Sequence, residues 1–203
     1  MCIRDSRIEV VYVGADDLTT YRAGIPRMAV ISPGEPFHII EGGPDWIVTW
    51  YPARLQGISL VGPPVAAVIP PIPRTEYVDA VRDYIRGFAE RIDDGASRGS
   101  QAYAILSICR GLYTCRTGER LSKRRAAAWA TREYPAWADL IEAALTWRDG
   151  QWTEANADGA ATVAATRSFI VAMVRHAHDA PWASIDAGPA AAPPAQESSR
   201  SGP

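Results

Sequence analysis

The spacing of apolar positions changes near residue 70. Ahead of it, short alternating runs are interrupted by glycine and proline. From Arg7 to Val13, Ile8, Val10 and Tyr12 fall on one side and Glu9, Val11 and Val13 on the other, which predicts a strand. Asp16 to Arg22 predicts a short helix, and Phe37 to Ile40 a second strand stopped by Gly42-Gly43-Pro44. Trp46 to Gln56 predicts a helix that carries Pro52 and closes at Gly57. Ile58 to Val61 predicts a third short strand, ended by Gly62-Pro63-Pro64. These strands are too few for a sheet of their own, so residues 7–69 are expected to be the end of a mixed α/β domain.

Pro70-Pro71-Ile72-Pro73 is a stiff linker, and beyond it the period becomes helical. Thr75 is placed to cap a helix in which Val78, Val81, Ile85, Phe88 and Ile92 form one apolar stripe, ended by Asp93-Asp94-Gly95. The next helix, from about Ser100 to Thr117, is apolar nearly all round, which places it at the centre of a bundle, and Gly118 closes it. Ser122 caps a helix to about Tyr134. Pro135 opens another that ends near Gly150, and a last one runs from about Ala160 to His178. The predicted fold is α+β: an α/β remnant over 7–69 and an all-α bundle of five helices over 74–178. The Ala/Pro/Ser-rich segment 179–203 is expected to be disordered. Residues 1–6 are expected to be a translated sequencing-adapter sequence, with the natural protein starting upstream.

Composition narrows the function. With 47% hydrophobic and 22% charged residues in 203, the chain can bury a core. Its net charge of -2 exerts no general pull on nucleic acid or anionic membrane, so any anion site must be local. No apolar run reaches the ~20 residues that span a bilayer, and the start carries no signal-peptide core. Cys2, Cys109 and Cys115 are too few for a disulfide framework, and Cys109 and Cys115 are expected to be small buried apolar groups. A cytoplasmic monomer without nucleic-acid or membrane partners is the expectation.

The candidate chemistry is cationic. Arg110 lies inside the central apolar helix and cannot shed its proton, so it needs an anion: a carboxylate such as Glu142, or a phosphate. Lys123, Arg124 and Arg125 occupy the first turn after Ser122, where cations oppose the helix dipole unless an anion binds there. Trp147 and Trp152 either close the core or stack on a base. His176 and His178 share no helix face and make poor metal ligands. Glu9, inside a strand pattern, either faces solvent or serves as a Mg2+ ligand or general base beside carboxylates supplied from elsewhere.

Taken together, Gly57-Ile58-Ser59-Leu60-Val61-Gly62-Pro63, the proline linker, Leu106-Ser107-Ile108-Cys109-Arg110 through Thr117-Gly118 to Ser122-Lys123, and Ala127-Ala128-Trp129-Ala130 with Pro135 resemble the streptomycin/spectinomycin 3''-adenylyltransferases. The similarity runs from about Arg7 to Trp152. The resemblance implies transfer of AMP from ATP to an aminoglycoside hydroxyl with Mg2+, giving antibiotic resistance. It implies Glu9 as catalytic base and metal ligand, Arg110 and Lys123 as ATP-phosphate contacts, and Trp147 as a nucleotide contact. The family's Gly-Ser and Asp-x-Asp motifs are absent from this chain, which predicts that it is inactive alone. A family acidic drug contact aligns with Ser100 and an aromatic one with Phe88, leaving Asp93 and Asp94 as the nearby carboxylates for a cationic drug. Two alternatives stay open: a helical module that binds nucleotide or a partner without chemistry, and a nucleotidyltransferase with a non-antibiotic acceptor.

Overall fold

The computed structural model describes residues 8–32, 35–149 and 159–179. It is α+β. Strands β1 (Val10–Tyr12), β2 (Ile25–Ile31) and β3 (His38–Gly42) form an antiparallel sheet in the order β1-β2-β3, with Val11 opposite Val30 and Ala29 opposite Ile39. Between β1 and β2 lie helix α1 (Ala15–Thr19) and a 3-10 turn (Tyr21–Ala23). Helices α2 (Ile47–Gln56) and α3 (Val65–Val68) lead to the proline linker. Helices α4 (Arg74–Arg86), α5 (Phe88–Arg91), α6 (Arg98–Thr117), α7 (Lys123–Glu133), α8 (Ala138–Asp149) and α9 (Ala160–Asp179) follow.

Four differences from the sequence reading have physical causes. Strand β2 escapes the alternation test because Pro26 and Arg27 interrupt it. Both lie in the stretch between Ile25 and Met28 where pairing with β3 shifts register, a place where a residue without an N–H is tolerated. With β2 present, the region builds a small sheet after all. Ile58–Val61 is not a strand: no neighbouring strand pairs with it, and Leu60 and Val61 are more than nine-tenths exposed. There the chain turns through Gly62 at φ +89°, with the Ser59 hydroxyl donating to the Pro63 carbonyl at 2.8 Å. Thr75 does not cap α4, which starts at Arg74 after Pro73 without a side-chain cap. Residues 1–6, Trp152 and the tail 180–203 lie outside the described residues.

The apolar stripe of α4 and α5 behaves as predicted: Val78, Val81, Ile85, Phe88 and Ile92 are all buried. Helix α6 is buried on almost every side and packs against α4, α7, α8 and α9. Its ends are tightly specified. The Ser97 hydroxyl accepts from the Ser100 N–H at the start. Gly118 turns left-handed at φ +68° at the end, where the Arg74 guanidinium donates to the carbonyls of Thr117 (3.0 Å) and Gly118 (3.1 Å), a cation well placed against the helix C-terminal dipole. Ser122 caps α7 as expected, accepting from the Arg125 N–H.

Buried Gln101 pins α9 to α6. Its amide donates to the carbonyls of Ala96 and Gly159 and accepts from the hydroxyls of Thr162 and Thr166, at 2.8–2.9 Å. The sheet region is tied to the bundle by stacked Tyr51 and Tyr77 (4.1 Å between centroids) and by Arg22, whose guanidinium grips Glu76 of α4 at 2.7 Å. Gly111 lets α6 approach α4, since a Cβ there would overlap the Ile85 Cγ2 atom. Gly111→Leu should therefore lower the urea midpoint by an amount equivalent to about 1–3 kcal/mol, the usual range for overpacking. An unchanged midpoint would show that α4 and α6 are not in this contact.

A candidate anion site at the start of helix α7

Packing on four sides fixes α6, and Arg110, midway along it, is held with its guanidinium partly buried beside the start of α7. Lys123 is the first residue of α7, fixed there by the Ser122 cap. Arg110 lies close enough to Lys123 to depress it. Burial, then Arg110, then Arg148 near the end of α8 push the Lys123 ammonium down to about 7. Burial, then Arg120, lower Arg110 from its usual value, while Tyr84, Tyr103 and Tyr77 act the other way.

Among the described residues, neither Arg110, Lys123 nor Arg148 makes a hydrogen bond or an ion pair. The expected Glu142 partner for Arg110 is not one: Glu142 is exposed on α8, and the groups acting on Arg110 do not include it. Other described arginines without such a partner, among them Arg27, Arg120, Arg132 and Arg175, are exposed, whereas Arg110, Lys123 and Arg148 are partly buried. Arg22, Arg74, Arg86, Arg116 and Arg167 each have a carboxylate within 4.0 Å, and Arg54 donates to the backbone carbonyls of Ala66 and Ile69.

The partial compensation present is aromatic. The Lys123 amine sits 3.7 Å from the centroid of the Tyr103 ring, whose negative face attracts a cation. The Tyr103 hydroxyl shares a 2.9 Å hydrogen bond with that of Tyr84. Burial first, then that hydrogen bond, raise the Tyr84 phenol above its usual value, so it stays protonated at neutral pH. Free N–H groups at the α7 N-terminus add to the positive potential. A cluster of cations without carboxylates, opening at a helix N-terminus, is suited to a multiply charged anion such as a chain of phosphates.

Tyr103 also lines an adjoining cleft of about 430 Å3 with Phe88, Arg91, Ile92, Ser97, Gly99 and Ser100. Phe88 is a core residue whose ring meets those of Tyr84 and Tyr103 as well as the cleft. The carboxylates expected to serve a cationic drug are not among the cleft's lining. Asp94 pairs with Arg167 at 2.6 Å, and Asp93 accepts from the Gly95 N–H at 3.0 Å, closing its own turn. Trp147 is half-buried and packs on the core. Glu9 lies one residue ahead of β1, exposed, on the side of Val11, with no hydrogen bond or ion pair to either cation. Among the described residues no group of three side chains could hold a metal ion. Cys109 and Cys115 are buried, their thiols pushed up to about 12 and about 11, chiefly by burial, as expected of inert packing groups. No described helix is long and apolar enough to cross a membrane.

The profile of the aminoglycoside adenylyltransferase C-terminal domain matches residues 67–173, more than half of the chain and the whole of this cluster. The chain belongs to that family. Among its relatives, the spectinomycin 9-adenylyltransferase of Staphylococcus aureus is 33% identical over 87 residues, 43% of this chain and 32% of that protein. The aminoglycoside (3'') (9) adenylyltransferase of Rhizobium radiobacter is 26% identical over 136 residues, 64% of this chain and 49% of that protein. The chain thus spans about a third to about half of the length of these relatives. The crystal structure of spectinomycin adenyltransferase AAD(9) from Enterococcus faecialis, with ATP and spectinomycin, matches with a TM-score of 0.60 over 83% of this chain and 72% of that one; at 17% identity this shows a shared fold.

Arg148, Arg120, Tyr84 and Tyr103 went unmarked in the sequence reading. Lys123 is also the only lysine in the chain, so the other 20 of the 21 basic residues are arginines, a signal the sequence did offer. The depressed Lys123 has a measurable consequence. Unfolded, its ammonium holds its proton to about 10.5, but folded only to about 7. Between those values the unfolded chain binds more protons, so stability must rise with pH. The urea midpoint of the ligand-free chain should climb from pH 7 towards pH 9, and Lys123→Met should remove that climb. Parallel pH profiles for the two proteins would contradict the placement of Lys123.

Proposed function

We propose that this chain is the phosphate-gripping part of an enzyme that transfers AMP from ATP to a hydroxyl of an aminoglycoside antibiotic. The observation that carries this reading is Lys123 at the start of α7, with Arg110 and Arg148 near enough to depress it and no carboxylate among the described groups that act on it. The family membership supports the reaction class, and the names of the relatives support an acceptor of the spectinomycin or streptomycin kind.

In such a transfer the acceptor oxygen attacks the α-phosphorus and pyrophosphate departs. The planar Arg110 guanidinium can hold two phosphate oxygens at once, and Lys123 supplies a point charge beside it. Their charge is worth most where it builds up, on the departing pyrophosphate, because the cluster is fixed in place before the reaction. The cleft beside Tyr103 is the place for the acceptor. Glu9 is the residue proposed to take the hydroxyl proton. The described residues do not fit a Mg2+ ion: Glu9 is exposed, and no group of three His, Cys, Asp or Glu side chains among them could hold a metal.

Isothermal titration of the chain with ATP tests the reading. Arg110→Ala should weaken binding about 10- to 100-fold, the usual worth of a charge-assisted hydrogen bond, and Lys123→Ala by a similar factor. Equal affinity in wild type and both variants would remove the site. The chain by itself should transfer no AMP. Turnover by the isolated chain would contradict the view that other carboxylates are required.

A further inference from the structure

The cleft beside Tyr103, on whose proposed role as the acceptor site this inference rests, has one charged residue in its lining among the described residues: Arg91. As the last residue of α5, it lies three positions after Phe88 and four after Gly87, so the three share a helix face. The guanidinium folds back over that face. Its central carbon is 5.2 Å from the centroid of the Phe88 ring and 5.6 Å from that of Tyr84. A Cβ on Gly87 would lie 3.6 Å from one of its terminal nitrogens. Among the described residues Arg91 makes no hydrogen bond or ion pair, so its N–H donors are left for an occupant of the cleft.

A cationic drug group entering such a cleft would seek a carboxylate or the face of an aromatic ring. Both are already taken. Of the nearby carboxylates, Asp94 pairs with Arg167 and Asp93 accepts from the Gly95 N–H, and neither lines the cleft. Of the two lining rings, Phe88 carries the Arg91 guanidinium and Tyr103 carries the Lys123 amine at 3.7 Å. The chain's own cations thus stand where a drug's cations would go, and like charges repel there. What the cleft still offers is suited to a neutral polar partner. The hydroxyls of Ser97 and Ser100, 3.1 Å apart, can donate or accept, and the guanidinium can only donate. That set matches the hydroxyls of a sugar or cyclitol ring.

We propose that Arg91 is a specificity-determining residue of the acceptor site: it admits an aminoglycoside by an uncharged, hydroxyl-bearing ring and keeps the drug's cationic groups outside the cleft. A drug whose charge lies on the entering ring is disfavoured. Because Arg91 is exposed, the discrimination must fade with salt, as the Debye length shrinks to about 3 Å at 1 M.

Isothermal titration of the chain with spectinomycin, in wild type and in Arg91→Glu, tests this. The charge reversal should tighten binding about 10-fold at low salt, the scale of turning a partly exposed repulsion into an attraction. Arg91→Met, which keeps the apolar stem, should fall between the two. Most of the gain should vanish at 1 M salt. N-acetylated spectinomycin, whose amines carry no charge, should gain nothing from Arg91→Glu, and ATP should bind all three proteins alike. Unchanged or weaker spectinomycin binding in Arg91→Glu would overturn the proposal, as would an equal gain with the acetylated drug. If ATP binds but no protein binds spectinomycin, the cleft is not the acceptor site; this inference falls and the phosphate site stands. If ATP does not bind, the phosphate reading fails, while the spectinomycin comparison still decides the role of Arg91.

Discussion

Everything at the site depends on one constraint: a helix buried on nearly all sides carries an arginine that has no carboxylate partner among the described residues. Helix α6 cannot turn to present Arg110 to solvent, because α4, α7, α8 and α9 hold it and Gly111 lets α4 lie almost against its backbone. A buried or half-buried guanidinium without a partner costs stability. The fold adds to that cost by starting α7 at the same place with a lysine and ending α8 there with a second arginine. A bundle selected for stability alone would set a carboxylate in this position, as it does for Arg22 and Arg167. The lack of a carboxylate partner among the described residues is what links the architecture to anion binding.

The aromatic residues let the cluster survive unfilled. Tyr103 offers its face to Lys123 and its hydroxyl to Tyr84, so one side chain touches both that cation and the adjoining cleft. The Gln101 network and the Arg74 cap work at a distance, fixing the two ends of α6 so that Arg110 keeps its height along the helix axis. The chemistry at one point therefore draws on contacts along the full length of that helix.

Much of the bundle was legible in the sequence because its signals are local and redundant. The apolar stripe from Val78 to Ile92, the Ser122 cap and the left-handed Gly118 each announce themselves within a few residues. The sheet was harder. Strand β2 hides behind Pro26, and Ile58–Val61 has strand-like residues but no partner, a fact that only the tertiary fold supplies. For the site, Arg110 and Lys123 stood out by being out of place on their helices. Arg148 did not, since an arginine near a helix C-terminus is unremarkable until α8 folds against α7. Asp93 and Asp94 looked available for a cationic ligand, but one closes a turn and the other pairs with Arg167, some 70 residues further along the chain and so invisible to local reading.

The central claim is that the cluster is a phosphate site and not a misplaced ion pair. A crystal structure of this chain grown with ATP tests it most directly. Phosphate oxygens should lie within about 3 Å of both the Arg110 guanidinium and the Lys123 amine. Phosphates bound elsewhere, with Arg110 turned to a carboxylate such as Glu142, would contradict it.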